Sequence, residues 1–562
     1  MRTGSWVLLS AVVLAAGAAA SGCSSGSAHG AATGADSQAG ACQGSGCDVA
    51  LEQAAGAGGE AGADGESVTS AACVPQGGTD VPDDAFVDSN CDGIDGDKSA
   101  AIFASPDGDD KADGAFGAPV KSLAKAVELA ASAGKAVYAC VGDFTDNVVI
   151  DTKAVSIFGG YDCKDWSRSN ARPTVKPASG IALTVRNATG VTVDRMSFVA
   201  ATATDPSASS IAVEVAASNQ VSLSHLELDA GDGAAGLAGE TVSGLATSAQ
   251  NGSPGGAGLE CQAGLVSCSV TRVEGGDGLP TYCGGTQVHG GTGGADGPYP
   301  RGYPSFGLAG TPGTSGSGYA GPSGLAGEPG VLATAGFGSV TDAGYVASNS
   351  GADGKNGENG QSGGGGTGGY SCYYGANTEA DCAAGNGQLE SQYYYGSGGG
   401  QGGYGGCGGM AGHGGGAGGA SIALLSINST VSLSWSSLTT GSGGAGGVPS
   451  DGASGQLGGA GGKAGAPTSW ALGMYAEFTN GQDGGSGGDG GHGGPGGAGG
   501  GGPSVTLVAL GTAPTTEAVT FTPGAGGTGG PGLAGQDGAS GESKEVEVIG
   551  GDDAGAAGAT GT

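Results

Sequence analysis

Two strand-like segments recur in this chain thirty residues apart, and this repeat restricts the fold more than any other feature. IALTV at 181–185 aligns with IAVEV at 211–215, and VTVDRMSF at 191–198 aligns with VSLSHLEL at 221–228. Two short strands per repeat, separated by polar corners, are typical of a solenoid whose coils stack on one another. In such a stack the inward Val, Ile and Leu side chains form one continuous core.

The same unit returns much later in the chain. SIALLSINSTVSLSWSSLTTGSGGAGG (421–447) resembles SIAVEVAASNQVSLSHLELDAGDGAAG (210–236), and SVTLVALGTAPTTEAVTFTPGAGGTGG (504–530) is a looser copy. We interpret GLECQAGLVSCSVTRVEGGDG (258–278) as a fourth copy. Each copy is two strands followed by a glycine-rich exit, so the solenoid is predicted to continue to about residue 525. The glycine-rich stretches are then excursions that leave it at one repeated corner.

A short helix is predicted before the first repeat, at 119–134. The residues of its apolar stripe are Val120, Leu123, Val127 and Ala130. Gly134 can end the helix, and the alternating segments AVYACVG, NVVID and VSIFGGYD that follow indicate strands. We therefore expect an all-β fold, a parallel β-helix with an N-terminal capping helix and long glycine-rich loop excursions.

A family resemblance agrees with this expectation over about residues 99–230. The segment SPDGDDKADGAFGAPVKSLAKAVELAASAGKAVYACVGDFTDNVVI resembles the capping helix and first coils of pectin-lyase-like β-helix proteins. VSIFGGYDCKDWSRS resembles a coil motif of bacterial surface members, carried here by Gly159, Gly160, Tyr161, Asp162, Trp166 and Arg168. The glycine-rich excursions resemble PGRS-type segments. The resemblance implies a right-handed parallel β-helix and specifies no chemistry.

These observations divide the chain into six predicted regions. They are a signal peptide at 1–22, a flexible Ala/Gly/Ser tether at 23–85, an acidic segment at 86–118, the first coils with the capping helix at 119–257, the continued β-helix with excursions at 258–530, and a glycine-rich acidic tail at 531–562.

The N-terminus has the pattern of a bacterial export signal. Arg2 precedes an apolar run that ends in Ala20-Ser21-Gly22-Cys23. This ending resembles a lipobox, in which the cysteine is acylated, although the family usually has Leu where Ala20 stands. The resemblance implies a lipid anchor at Cys23, and Ser24 after it favours the outer membrane and the cell surface. The alternative is cleavage by ordinary signal peptidase, with Cys23 incidental.

The chain has 13 cysteines, which in an exported protein indicate an oxidising compartment. Twelve remain if Cys23 carries lipid, an even number that permits six disulfides. Spacing suggests local pairs, although connectivity does not follow from sequence alone. The suggested pairs are Cys42 with Cys47, Cys73 with Cys91, Cys140 with Cys163, Cys261 with Cys268, and Cys372 with Cys382, which leaves Cys283 and Cys407.

Glycine is concentrated in the excursions, because 105 of the 132 glycines follow residue 230. Stretches such as GGSGGDGGHGGPGGAGGGG (484–502) have almost no side chains to pack, so we favour flexible surface loops. The alternative is a set of threefold extended helices packed side by side, at a separation that only glycine permits. A collagen triple helix is disfavoured because the triplet period breaks and proline is scarce.

The acidic segment contains a candidate calcium site in DSNCDGIDGD. Oxygen-bearing side chains stand close together there, with glycines in the turns, as a Ca²⁺ site requires. The candidate ligands are Asp88, Asn90, Asp92, Asp95 and Asp97. The string resembles thrombospondin type 3 calcium loops but lacks the full EF-hand pattern. A solvated acidic linker explains the same residues equally well, so calcium is a candidate cofactor.

Tyrosines are the candidate binding residues, since twelve of the 15 lie between Tyr282 and Tyr404. Aromatic rings on exposed loops can stack on sugars or on other surfaces. The selected residues are Tyr373, Tyr374, Tyr393, Tyr394 and Tyr395. The alternative, which we favour, is that these rings pack on the flank of the solenoid.

Charge and residue distribution weigh against catalysis and against nucleic acid. The net charge is −34, and phosphate binding needs clustered Lys and Arg. Only five basic residues follow Arg195, the five histidines are isolated, and no carboxylate cluster recurs at coil spacing. We therefore expect no catalytic residues. The expected role is a lipid-anchored surface protein that is structural or binds surface glycans or matrix, with a pectin-lyase-like polysaccharide lyase or hydrolase as the alternative.

Overall fold

A computed structural model describes residues 73–75, 77, 79–262, 273–295, 318–334, 336–347, 349–369, 372–373, 392–466 and 481–550. Three parallel sheets dominate it, and the chain visits them in turn, so the fold is a parallel β-solenoid. The predicted fold class is confirmed. No helix among these residues is long and apolar enough to cross a membrane.

The strands of each sheet follow one another along the solenoid axis. Sheet A contains Ala101–Ala104, Ala136–Cys140, Ile157–Tyr161, Thr189–Asp194, Asn219–Ser224, Val431–Ser434 and Thr515–Glu517. Sheet B contains Val148–Asp151, Leu183–Arg186, Ser210–Ala216, Ser421–Ile427, Ser504–Leu510 and Ser543–Ile549. Sheet C contains Asp143–Phe144, Thr174–Val175, Ser197–Val199, Glu227–Ala230, Ser437–Thr440 and Thr520–Thr522.

The register confirms the repeats. Leu183 pairs with Val213, which is the predicted thirty-residue offset, and Val213 pairs in turn with Leu424. The coil at 210–230 therefore stacks directly on the coil at 421–440, across the whole first excursion. Each long excursion leaves after a strand of sheet C and returns at a strand of sheet B, which confirms the single repeated corner.

Three parts of the repeat prediction need correction. Each coil has three strands instead of two, because a corner divides the second predicted segment, VTVDRMSF, between Thr189–Asp194 of sheet A and Ser197–Val199 of sheet C. The copy proposed at 258–278 is wrong, because Leu259–Gln262 pairs antiparallel with Gln392–Tyr395 instead of joining the solenoid. Its alternating residues resemble a coil, but pairing partners and not local pattern decide which sheet a strand joins. Ser543–Ile549 adds a further strand to sheet B, so the solenoid extends past the predicted end near residue 525.

The helix caps the first coils. It spans Leu123–Ala133, starts after Ser122, whose side chain accepts from the Lys125 amide, and ends at Gly134 in the left-handed conformation. It starts later than predicted because Val120 forms a β-bridge with Ala104. Its buried residues are Leu123, Ala126, Val127 and Ala130, which join the same core as the inward Val and Leu side chains of the strands.

The glycine-rich excursions form an ordered bundle of extended segments, which we call rods. The rods are 231–258, 289–295, 318–334, 349–369, 396–420, 441–466, 481–503 and 523–532. Every third amide of rod 396–420, from Gly400 to Gly418, donates to rod 481–503 at N–O distances of 2.8–3.0 Å. A three-residue period without internal hydrogen bonds identifies threefold extended helices. The flexible-loop interpretation is therefore wrong, and the alternative of packed threefold helices is correct.

Glycine is required where rods touch. A Cβ atom on Gly403 would lie 2.0 Å from the Gly459 carbonyl oxygen, and one on Gly487 would lie 2.0 Å from the Tyr404 oxygen. Rod 396–420 is central, since it exchanges backbone hydrogen bonds with rods 231–258, 349–369, 441–466 and 481–503. The interior is consequently built from backbone, with side chains at the remaining positions of the triplet.

Side chains complete the bonding between two of the rods. Side-chain oxygens on every third residue of rod 349–369 accept hydrogen bonds from amides of rod 396–420. These amides have no backbone carbonyl acceptor among the described residues. The pairs are Ser350 with Ala417, Asp353 with Gly414, Asn356 with Ala411, Asn359 with Gly408, and Ser362 with Gly405, at 2.8–3.2 Å. We call this set the side-chain ladder.

A β-hairpin joins the bundle to the solenoid. Its strands, Ser339–Thr341 and Gly344–Val346, lie between rods 318–334 and 349–369. Val340 packs in one cluster with Ile422 of sheet B, and Asn428 donates to Asp342 at 2.8 Å. A second hairpin, Thr281–Cys283 with Thr286–Val288, lies within the bundle. A 3-10 helix follows the last rod at Leu533–Gly535.

Candidate functional site

The largest group of buried charges lies where sheet A meets sheet C. Asp194, the last residue of a sheet A strand, accepts from the Arg195 guanidinium at 2.6 Å, Ser224 Oγ at 2.7 Å and His225 Nδ1 at 2.9 Å. The Arg168 guanidinium donates to the same carboxylate. All of these groups come from neighbouring coils, so coil stacking brings them together.

An N-terminal strap, residues 79–98, covers this cluster. Asp95 pairs with Arg168 at 2.9 Å, and Asp84 pairs with Arg195 at 2.7 Å. The Tyr161 hydroxyl donates to the Asp95 carbonyl at 2.7 Å. The two guanidiniums therefore connect the strap to the solenoid core.

The surroundings shift the pKa values of these groups in different directions. Burial raises the pKa of Asp95, and the hydrogen bond and charge of Arg168 only partly oppose it. Burial acts in the same sense on Asp194, but hydrogen bonds from Ser224 and His225 and the positive charges of the two arginines outweigh it and lower its pKa. Asp194 is consequently ionised at neutral pH.

Asp84, Asp194 and His225 present oxygen and nitrogen atoms within 4.8 Å of one another, as metal ligands do. Asp194 already faces two guanidiniums, however, and Asp84 faces one of them. A divalent cation there would be repelled by these fixed positive charges. The arrangement suits an ion-pair network that fastens the strap better than it suits a metal centre.

The predicted calcium ligands have protein partners. The Asp88 carboxylate accepts the amides of Asp92 and Gly93, and the Asp92 carboxylate accepts the Lys98 amide at 2.9 Å. Asn90 also accepts the Asp92 amide at 2.8 Å. Asp95 pairs with Arg168 at 2.9 Å, and Asp97 accepts the Ser99 amide at 2.7 Å. Calcium binding at these five residues stays a prediction.

The glycine-aromatic coil motif has a structural role. A Cβ atom on Gly159 would lie 2.1 Å from the Arg195 carbonyl oxygen, and Gly160 has a φ of 91°. Trp166 and Tyr161 pack in an aromatic cluster with Phe103, Phe116 and Tyr138. Burial raises the pKa of Tyr138 to about 12. The motif therefore forms the surface of the solenoid against which the strap packs.

Three disulfides are formed among the described residues: Cys73 with Cys91, Cys140 with Cys163, and Cys283 with Cys407. The first two confirm suggested pairs, and the third joins the two cysteines that the spacing argument left over. Three disulfides indicate an extracellular or periplasmic protein. The side chains of Cys261, Cys268, Cys372 and Cys382 lie outside the described residues, as does Cys23.

The tyrosine-bearing strands lie at the end of the bundle far from the solenoid. Cys372–Tyr373 and Leu259–Gln262 both pair with Gln392–Tyr395, which contains Tyr393, Tyr394 and Tyr395. Rods 231–258 and 349–369 run away from the solenoid and end at these strands. Tyr374 lies outside the described residues. The structure thus brings four of the five candidate tyrosines to one small sheet, by their backbone positions.

Sequence reasoning missed the strap network and the side-chain ladder. The ladder has a visible signal, because Ser, Asp, Asn, Asn and Ser occupy every third position of SGADGKNGENGQS (350–362). The network has only a partial signal. Arg195 and His225 occupy the same corner of two coils at the thirty-residue offset, but Asp84 and Asp95 of the strap belong to no repeat.

Comparison with known proteins adds little to this geometry. No protein-family model matches the chain, and no curated protein matches it. A crystal structure of a GH136 lacto-N-biosidase from Eubacterium ramulus matches at 16% identity over 23% of this chain and 27% of that chain, with a TM-score of 0.19. A likeness this weak carries no argument about function.

Proposed function

We propose that this protein is a non-catalytic cell-surface protein, tethered to the outer membrane through a lipid on Cys23, that displays a rigid body for attachment to surface glycans or matrix. The observation that supports the proposal is the glycine bundle. Its rods run side by side for up to 28 residues, roughly 85 Å at the rise of a threefold extended helix. A rigid projection of this length suits display better than chemistry.

The far end of the bundle supports the same role. Glycine occupies the rod interiors, whereas the strands that carry Tyr373 and Tyr393 to Tyr395 lie at the tip. Aromatic rings with a polar end are favoured at binding surfaces. The disulfide between Cys283 and Cys407 joins the hairpin strand Thr281–Cys283 to rod 396–420 and restrains the bundle in an oxidising environment.

Binding of the exported protein to an array of neutral and anionic polysaccharides tests the attachment role. Retention of an array glycan without any released oligosaccharide is the expected result. Release of oligosaccharides, from a polyuronate in particular, would contradict the proposal and favour the lyase or hydrolase alternative.

The anchor is tested separately by Cys23→Ser. We expect the variant to leave the membrane fraction and to lose incorporation of a labelled fatty acid. Equal membrane retention of variant and wild type would refute the lipid anchor and leave the binding role untouched.

A further inference from the structure

The corner between sheet A and sheet C carries an exposed tryptophan, Trp435, that the fold does not require. Four successive coils place a residue with positive φ between sheet A and sheet C: Arg195, His225, Trp435 and Ala518, with φ values of 52°, 52°, 50° and 50°. The amides of the first three residues donate to the next coil, Arg195 to the Ser224 carbonyl, His225 to the Ser434 carbonyl and Trp435 to the Glu517 carbonyl, at 2.9–3.1 Å. The corner geometry is therefore fixed by the backbone.

Trp435 is unlike the other members of this stack. Arg195 and His225 are held by Asp194, and Ala518 is small. Trp435 is 56% exposed, and its indole has no hydrogen bond or ring contact with any residue in the described part of the chain. A bulky side chain at positive φ is sterically unfavourable. Neither packing nor backbone geometry accounts for a tryptophan there, since Ala518 shows that a small residue fits.

The outer face of sheet C continues from this corner with polar side chains. Outward positions alternate with buried or half-buried ones in three successive strands. The outward residues are Glu227 and Asp229, Ser437 and Thr439, and Thr520 and Thr522. Adjacent strands lie about 4.8 Å apart, so hydroxyls and carboxylates form a regular, flat array. Trp435 stands two residues before Ser437, at the edge of that array.

An exposed indole ring beside a row of Ser, Thr, Asp and Glu side chains has the chemistry that recognises sugars. The C–H face of a sugar ring stacks on the indole, and its hydroxyls exchange hydrogen bonds with Ser, Thr and carboxylate oxygens. The carboxylates and the net charge of −34 repel polyuronates and other polyanions. Arg172 partly balances this face through its ion pair with Glu227 at 3.1 Å.

We propose that Trp435 and the outer face of sheet C form a binding site for a neutral glycan chain. The inference rests on the proposed attachment role and extends it, because it gives the solenoid a site separate from the tyrosine strands and specifies an uncharged ligand.

Affinity measurements on the exported protein, with neutral polysaccharides as probes, test the site. Trp435→Ala should weaken binding by about tenfold or more, as loss of an interface hot spot does, whereas Trp435→Phe should retain most of the affinity. Leu325→Ala is the matched control, since Leu325 is 69% exposed on rod 318–334 and belongs to neither candidate site, and it should bind as wild type does.

Stability separates a binding role from a structural one. Trp435→Asn should keep the wild-type Tm, because asparagine tolerates positive φ better than tryptophan and does not add the unfolded-chain entropy of glycine, and it should still lose binding. A lower Tm for this variant would show that the indole serves packing and would overturn the inference. Wild-type binding that survives Trp435→Ala would also overturn it and leave the attachment role standing. Absence of glycan binding by the wild type would instead refute the attachment role itself.

Discussion

Close packing of rods predicts that a single methyl group in the bundle interior is strongly destabilising. Gly403 lies in the central rod, and a Cβ atom there would be 2.0 Å from the Gly459 oxygen and 2.8 Å from the Gly487 nitrogen. Ordinary contact begins at 3.4 Å, so Gly403→Ala requires the rods to separate by about 1.4 Å. No flexible side chain can give way, since both neighbours are backbone.

The magnitude follows from the bonds that this movement breaks. Gly459 donates to the Tyr404 carbonyl and Gly487 donates to the Gly459 carbonyl, each at 2.8 Å. Two lost hydrogen bonds at about 1 kcal/mol each, with about 1 to 3 kcal/mol for overpacking, give roughly 3 to 5 kcal/mol. The lower entropy of alanine in the unfolded chain offsets only about 0.4 to 1 kcal/mol.

Hydrogen exchange with mass spectrometry measures this effect locally, which matters because a chain of this size need not unfold in one step. Exchange in rods 441–466 and 481–503 should accelerate by about a hundredfold or more in Gly403→Ala. Gly117→Ala is the control, because no atom lies within 4 Å of its Cβ position, and its exchange should be unchanged. Wild-type exchange in the Gly403 variant would refute the close-packing argument.

Three further predictions test the bundle and the strap. In wild type, hydrogen exchange across 484–502 should show a period of three, in which two slow amides are followed by one fast amide. The fast positions include Ser486 and Asp489, whose amides have no acceptor among the described residues. Uniformly fast exchange would contradict an ordered bundle. Asn359→Ala should accelerate hydrogen exchange in rod 396–420 by about five- to thirtyfold, equivalent to about 1 to 2 kcal/mol, since it leaves the Gly408 amide unpaired, while truncation of the exposed Gln361 should have no effect. Asp194→Asn should cost about 3 to 5 kcal/mol at pH 7 by leaving two buried guanidiniums underpaired. Because the folded pKa of Asp194 is lowered, the ionised carboxylate stabilises the fold at neutral pH, and this stabilisation is lost as the pH falls through that pKa. The stability difference between variant and wild type should therefore shrink below about pH 4. A stability difference that is constant with pH would argue against the ionised role of Asp194.

Part of the candidate site could be predicted and part could not. The pair Cys140 with Cys163 followed from spacing, because the two residues are 23 apart on adjacent coils. The Cys283 to Cys407 disulfide spans 124 residues and depends on how the rods pack. Spacing therefore could not predict this pair, and the two cysteines were only those left after the local pairs had been assigned. Asp95 was predicted as a calcium ligand, but its burial beside Arg168 depends on a contact 73 residues away along the chain.

Trp435 was equally invisible as a binding residue. In the sequence it stands in VSLSWSSL, where it can be taken for another strand residue. Only the structure shows that Trp435 is exposed and has positive φ, and that it occupies the same corner as Arg195, His225 and Ala518 in the other coils.

The sequence by itself determined the solenoid, because each coil carries its own alternation of buried and exposed residues and a fixed offset aligns one coil with the next. It also determined where glycine leaves that solenoid. Only the tertiary structure decided that the glycine-rich segments are ordered, because a threefold extended helix makes no hydrogen bonds within itself. Each rod is held by partners far away along the chain, as Gly403 is by Gly485, so its order is a property of the bundle and not of any local pattern.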